Sequence, residues 1–289
     1  MQPEIVADTQ CEIGENPLWH PLEKRVYWTD IPRGRMYWYD PATGAHKCFY
    51  EGDVVGGFTI QADGALLLFM ARGAIRLWKS GQFTTIIDEI PAERESRFND
   101  VIADPYGRVY CGTMSTESRL GRLYLLETDA TLKLILDNVG TSNGLGFTRD
   151  QKSVYHTDSR KREIYRFKLH YDTGYLSHRQ VFVSVPEGEG GPDGMTVDAE
   201  GRVWSARWDG GCLVRYDAEG KEERRIEFPA RKVSSLTFGG DKYEDVYVTT
   251  AGGQDRENEG SGAGALFRVQ VGVKGVPEFM SRVGMPPEM

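Results

Sequence analysis

The chain has 289 residues, a net charge of −8 and no apolar run near the roughly 20 residues that a membrane helix needs. The acidic balance and the lack of any basic cluster argue against nucleic acid as a partner, and the opening MQPEIVADTQ has no charged-then-apolar leader, so no signal peptide is expected. Cys11, Cys48, Cys111 and Cys212 are widely spaced and form no C-x-x-C pair, which argues against a zinc knuckle or redox motif and for a reducing, cytoplasmic setting.

Read from the N-terminus, Glu4–Ala7 has the character of a short strand. After it a hairpin pattern recurs: an apolar triplet, a turn with Asp or Gly, then a second strand with a hydrophobic–aromatic pair. It appears as PLWHPLEKRVYWTD from Pro17, FTIQADGALLLFM from Phe58 and VIADPYGRVYCG from Val101. It returns as LGFTRDQKSVYHTD from Leu145, MTVDAEGRVWSAR from Met195 and LTFGGDKYEDVYVTT from Leu236. The first apolar residue of each second strand is Val26, Leu66, Val109, Val154, Val203 and Val246, at intervals of 40, 43, 45, 49 and 43 residues. A third strand follows each hairpin: Arg35–Tyr39, Ala74–Trp78, Arg122–Leu126, Glu163–Leu169, Cys212–Tyr216 and Ala265–Val271. Fourth, outer strands are expected in most copies, such as His46–Tyr50 and Arg179–Val185.

Four strands at a period in the forties is the pattern of a propeller blade. The expected fold is therefore all-β: a six-bladed β-propeller of four antiparallel strands per blade, with residues 1–289 as one domain. The sixth copy runs out near Gly275 without a clear fourth strand. Glu4–Ala7 is expected to supply it and so close the ring, which removes an exposed edge; the alternative is a free C-terminal tail.

In a propeller the innermost strand of each blade lines the axis. Counting back 10 or 11 residues from each anchor reaches the start of that strand: Glu15, Asn99, Asn143, Asp193 and Ser235, with only Val55 or Gly56 in the second copy. Singly, Asn143-Gly144 and Asp193-Gly194 read as turn dipeptides. Their shared phase points instead to two carboxylates and two amides around one axis. Such a set, without His or Cys, is hard and suits Ca²⁺, Mg²⁺ or Mn²⁺. Without a counter-charge the carboxylates repel, and one of them resists ionisation.

GENPLW at 14, SRFNDVIADPYGRVYCGTM at 96, SNGLGFTRDQKSVYHTDS at 142, PDGMTVDAEGRVWSARWDGG at 192 and SSLTFGG at 234 span most of the chain. Together they resemble the senescence marker protein, regucalcin and gluconolactonase family of six-bladed propellers. The resemblance implies hydrolysis of a lactone at a divalent metal. It implies Glu15, Asn143 and Asp193 as metal ligands, Asn99 near the metal or reaching it through water, and Arg97 as a contact to substrate hydroxyls. Asp193 is the candidate general base as well as a ligand, with metal-bound hydroxide as the rival route, and Asn99 is a candidate to position water or substrate. One departure is the segment MSTESRLGR at 114–122, which is shorter than the substrate-covering loop of animal members; Glu117 is a loose candidate to stand in for that loop.

The expected cofactor is one divalent ion, Ca²⁺ first, with Zn²⁺, Mn²⁺, Mg²⁺ or Fe²⁺ as alternatives. The expected partner is a small lactone, and the expected state a monomer or weak homo-oligomer. Competing functions are a broader, paraoxonase-like esterase and a non-enzymatic calcium-binding regulator. His20 and His156 read as packed or solvated residues and the tryptophans as core, with Trp208 a candidate for the pocket border. The DRENEG run at 255 reads as a solvated loop, and Asp100 and Asp158 as supports behind the site.

Overall fold

In the computed structural model, which describes residues 2–286, the strands form six antiparallel sheets of four strands each. Blade 1 is Gly14–His20, Arg25–Asp30, Arg35–Tyr39 and His46–Glu51. Blades 2 to 5 follow in the same order, beginning at Val55–Ile60, Phe98–Ala103, Ser142–Phe147 and Gly191–Val197. Blade 6 is Lys232–Gly239, Asp245–Ala251, Leu266–Gln270 and, as its outer strand, the N-terminal Glu4–Ala7. First strands of successive blades pack side by side, and Gly14–His20 packs against both Val55–Ile60 and Lys232–Gly239. The chain is thus a closed six-bladed β-propeller.

The sequence dictates this arrangement through burial on both faces of each blade. Six apolar clusters fill the gaps between neighbouring blades. The anchor residues Val26, Leu66, Val109, Val154, Val203 and Val246 are all buried. Aromatic pairs bridge the gaps, such as Phe69 with Phe98 at 5.3 Å and Tyr110 with Phe147 at 6.1 Å between ring centroids. Outer strands such as Gln82–Ile87 face water and carry the polar residues.

Ring closure follows the expectation. Glu4 pairs with Arg268 and Ile5 with Phe267, and the edge is reinforced by an ion pair between Glu4 and Arg268. The segment after this sheet is not a free tail. Lys274 O accepts from Ala199 N at 2.8 Å, Gly275 N donates to Tyr243 O at 2.8 Å, and Ser281 N donates to Ile60 O at 2.9 Å. Arg282 N then donates to Gly107 O at 2.8 Å and Gly284 N to Thr128 O at 2.8 Å. The C-terminal segment therefore straps blades 5, 6, 2 and 3 together across the end where the first strands finish, called here the lower mouth. Phe279 of the strap meets Phe147 of blade 4 edge-on at 5.7 Å.

Candidate functional site

At the upper mouth, where the first strands begin, each blade departs from regular pairing at the same place. The register between first and second strands slips between Glu15 and Leu18, Val55 and Gly57, Phe98 and Val101, Asn143 and Leu145, Pro192 and Met195, and Val233 and Ser235. A bulge of this kind leaves a residue unpaired and re-aims side chains. It explains why Asn and Asp, poor strand formers, open strands that otherwise run apolar. Asn16, in the bulge of blade 1, takes φ of 48°, a left-handed conformation that Asn tolerates, and its Oδ1 accepts from Phe58 N of blade 2.

The bulges gather Glu15, Asn99, Asn143 and Asp193, together with Arg97, around one open cleft of about 350 Å³. Asp193 and Asn143 touch directly, Asn143 Nδ2 donating to Asp193 Oδ1, while Nδ2 also reaches Ser159 Oγ at 3.2 Å. Asn99 is fixed at both ends of its amide: Nδ2 donates to Ser142 O at 2.9 Å and Oδ1 accepts from Arg97 Nη1 at 2.8 Å. Arg97 Nη1 also donates to Phe98 O at 2.9 Å. Asn99 thus braces Arg97. Ser235 lies elsewhere, against Gly194 rather than in the cleft, since a Cβ on Gly194 would sit 2.2 Å from Ser235 Oγ.

Blade 2 contributes no polar group for a steric reason. A Cβ on Gly56 would fall 1.9 Å from Phe98 O of the next blade, so no side chain fits there. Gly144 is similarly confined, its virtual Cβ 2.5 Å from Asp193 O.

The electrostatics are those of crowded acids. Glu15 is 8 % exposed and Asp193 4 %. Burial, then the nearby Asp100 carboxylate, pushes Glu15 up to about 8. Burial, then Glu15 and Asp100, pushes Asp193 well above the usual carboxylate range. Asp100 itself rises to about 7, through burial and the charge of Glu278 on the strap below. Burial draws Arg97 down to about 10, against the pull of Glu15 and Asp193. The hub thus crowds more acids than Arg97 can offset, and they resist ionisation together. Among the described residues no three His, Cys, Asp or Glu side chains are grouped to hold a metal. The candidate donors are instead two carboxylates with an amide between blades, a hard set that fits a divalent cation bearing the missing charge.

Other expected residues fall as follows. Trp208 lines the cleft, with Lys232 Nζ 5.7 Å from its ring centre. Glu117 is exposed and outside the cleft; from the shortened 114–122 segment it is Met114 that forms part of the wall. His156 is buried, drawn down to about 4 by its burial, and hydrogen-bonds Ser142 Oγ at 2.8 Å, so it supports the strand beneath Asn143. His20 is buried at the other end of its strand, 3.1 Å from Gly64 O. The Asp158 carboxylate accepts from Gly140 N at 2.9 Å and Thr141 N at 3.2 Å and caps the Ser159–Lys161 turn. Asp30 does the same in blade 1 for Glu12 N and Ile13 N, both at 3.1 Å. The DRENEG segment holds a short turn, Arg256–Glu259, in which Glu259 pairs with Lys232. All four cysteines are free.

Sequence reasoning does not reach Ile13, Ile31, Thr141, Ser159 and Arg160, which also line the cleft. They sit in connections between strands, where the repeat has no fixed phase. The one signal for them is the shared geometry of the Asp30 and Asp158 turns, which is structural rather than sequential.

Comparison with known proteins adds the following. A family model described as the SMP-30/Gluconolactonase/LRE-like region matches residues 13–252. The chain is 49% identical over 288 residues to the pentonolactonase XacC of Haloferax volcanii, covering 96% of this chain and 97% of that one. It is 32% identical over 289 residues to the regucalcin of Gallus gallus, with 96% and 97% covered. Among solved structures it is similar to a luciferin-regenerating enzyme, with a TM-score of 0.88, 26% identity and 97% and 99% of the two chains covered.

Proposed function

The chain belongs to the SMP-30/gluconolactonase/LRE-like family, and on that premise we propose that it is a hydrolase that opens a sugar-acid lactone to the hydroxy acid at one divalent metal ion, Ca²⁺ in the first instance. A pentonolactonase as a 49%-identical relative over nearly the full length supports the reaction. The observation that carries the reading is the convergence of Glu15, Asn143 and Asp193, from blades 1, 4 and 5, on one buried hub whose acids lack compensation. No helix among the described residues is long and apolar enough to cross a membrane. The four free cysteines accord with a reducing, cytoplasmic setting.

Glu15, Asn143 and Asp193 would hold the cation, which when bound supplies Lewis-acid polarisation of a carbonyl. The remaining chemistry belongs to the side chains. Asp193 Oδ1 is held by Asn143 Nδ2, which leaves Oδ2 to take a proton from water as the water oxygen bonds to the lactone carbonyl carbon. When the bond from that carbon to the ring oxygen breaks, the same proton returns to the departing oxygen. Atoms balance: water's oxygen and one hydrogen end on the acid, the other hydrogen on the new hydroxyl. Arg97, braced by Asn99 and Phe98 O, presents its remaining N–H groups to ring hydroxyls. Ile13, Ile31 and Met114 form an apolar wall that limits water around the reacting carbonyl.

The test is a panel of aldonolactones assayed by acid release, with chelated protein re-supplied with Ca²⁺, Mg²⁺, Mn²⁺ and Zn²⁺ in turn. Hydrolysis that disappears on chelation and returns with one ion supports the reading. Brisk hydrolysis of aryl esters with no lactone turnover replaces it with the esterase; metal binding without any hydrolysis replaces it with a regulator.

A further inference from the structure

One charged side chain in the cleft has no part in the chemistry above. Arg160 lies in the Ser159–Lys161 turn, which Asp158 caps through Lys161 N at 3.3 Å. Its stem packs over Gly140, where a Cβ would be 2.7 Å from Arg160 Cβ, so the turn sits close against the blade only because residue 140 is a glycine. The two cations that follow it are satisfied elsewhere. Lys161 pairs with Asp158 at 3.4 Å, and the Arg162 guanidinium donates to the carbonyls of Val185, Pro186 and Gly190. Of these three, only Arg160 borders the cleft; it is exposed, and no hydrogen bond or ion pair engages its guanidinium among the described residues.

Charge and space agree with that placement. A divalent cation balances Glu15 and Asp193, and Arg97 is already braced. Of the two guanidinium groups that line the cleft, Arg160 is then the one with no hydrogen-bond partner among the described residues. A volume near 350 Å³ falls in the range, roughly 300–1,000 Å³, of pockets that take ligands larger than a bare sugar ring. A guanidinium fork matches the geometry of carboxylate, sulfonate and phosphate oxygens.

We propose that Arg160 is a specificity-determining residue that binds an anionic group carried on the exocyclic arm of the lactone. The proposal rests on the lactonase reading and deepens it: the ring reacts at the hub while the arm extends outward to the turn of blade 4.

The test compares two substrates of identical ring, the δ-lactone of gluconic acid and the same lactone phosphorylated on its exocyclic hydroxyl, using metal-loaded full-length protein. The wild type is expected to favour the phosphorylated lactone in kcat/KM by about tenfold, the size of one exposed charge-assisted contact. Arg160→Ala should cut that preference by about tenfold, chiefly through KM, and Arg160→Lys should retain part of it. Added salt should shrink the wild-type preference, because the guanidinium is exposed. Arg149→Ala removes an equal charge at the lower mouth and should leave the preference as in the wild type. A wild-type ratio at or below one, or a ratio unmoved by Arg160→Ala, overturns the proposal while neutral-lactone turnover keeps the lactonase reading intact. Hydrolysis of neither lactone removes both.

Discussion

The two mouths of the channel are lined by the same six strands and have opposite characters. At the upper mouth every first strand is bulged, and the bulges turn Glu15, Asn99, Asn143 and Asp193 toward an open cleft. At the lower mouth the same strands pair regularly; four end in Ile60, Ala103, Phe147 and Val197, all buried, and the other two in His20 and Gly239, under the C-terminal strap. Regular pairing yields a pseudo-symmetric ring that is mostly apolar. Irregular pairing yields places where polar side chains point at the axis, and only one end of the ring has it. The propeller therefore supplies the frame on all sides, and the polar side chains that face the axis stand where the ladder fails.

The largest effect expected from breaking the upper mouth is that of Asp193→Asn. The substitution keeps shape and removes the proton acceptor, so kcat/KM should fall roughly a thousandfold. The circular dichroism spectrum should be unchanged and the metal-free protein no less stable, since a carboxylate crowded by Glu15 and Asp100 gives way to a neutral amide. Near-normal turnover would remove Asp193 from the chemistry.

A second test uses pH. The folded-state pKa of Glu15, about 8, lies above its unfolded value near 4.5. Between those values the native state holds a proton that the unfolded state has lost, so stability falls as pH rises through this window. Chelated protein should lose on the order of a few kcal/mol between pH 5 and pH 8 by denaturant titration. Saturating divalent cation should flatten the slope. A slope of the same size with and without cation would separate Glu15 from the metal.

How much of this was legible in the sequence follows from what repeats. Val26, Leu66, Val109, Val154, Val203 and Val246 recur because each blade buries the same position, so blade number, ring closure through Glu4–Ala7 and the phase of Glu15, Asn99, Asn143 and Asp193 could all be counted. Arg160 and Met114 could not, because the connections that carry them differ in length from blade to blade. The strap was invisible for a related reason: Val276–Met280 has no period, and its place is set by single contacts such as Phe279 on Phe147. Gly56 was visible as a gap in the polar ring, but its cause, the carbonyl of Phe98, belongs to the neighbouring blade.

That gap offers a subtler way to disturb the upper mouth. Gly56→Ala forces a methyl toward Phe98 O, the carbonyl that also receives Arg97 Nη1. Overpacking of this kind costs roughly 1–3 kcal/mol. Because the displaced strand bears Arg97 and Asn99, kcat/KM should also drop by about tenfold. A drop in stability with kinetics intact would mean that Arg97 is not held by this strand pairing.

The smallest catalytic effect is expected at the lower mouth, and it decides whether the two ends are independent. Phe279 is half-buried between blades 3 and 4, edge-on to Phe147. Phe279→Ala should cost about 1–3 kcal/mol by thermal or denaturant unfolding, less than a fully buried aromatic. It should leave kcat/KM within about twofold, because Phe279 lies outside the cleft lining and packs on the lower-mouth clusters. One route could couple the ends: Glu278, adjacent in the strap, accepts from Thr196 Oγ1 at 3.2 Å and raises Asp100, which in turn raises Glu15 and Asp193. If Phe279→Ala shifts the pH dependence of turnover as well as stability, the strap sets the charge of the hub through that chain of acids. If stability alone changes, the lower mouth is a seal and nothing more.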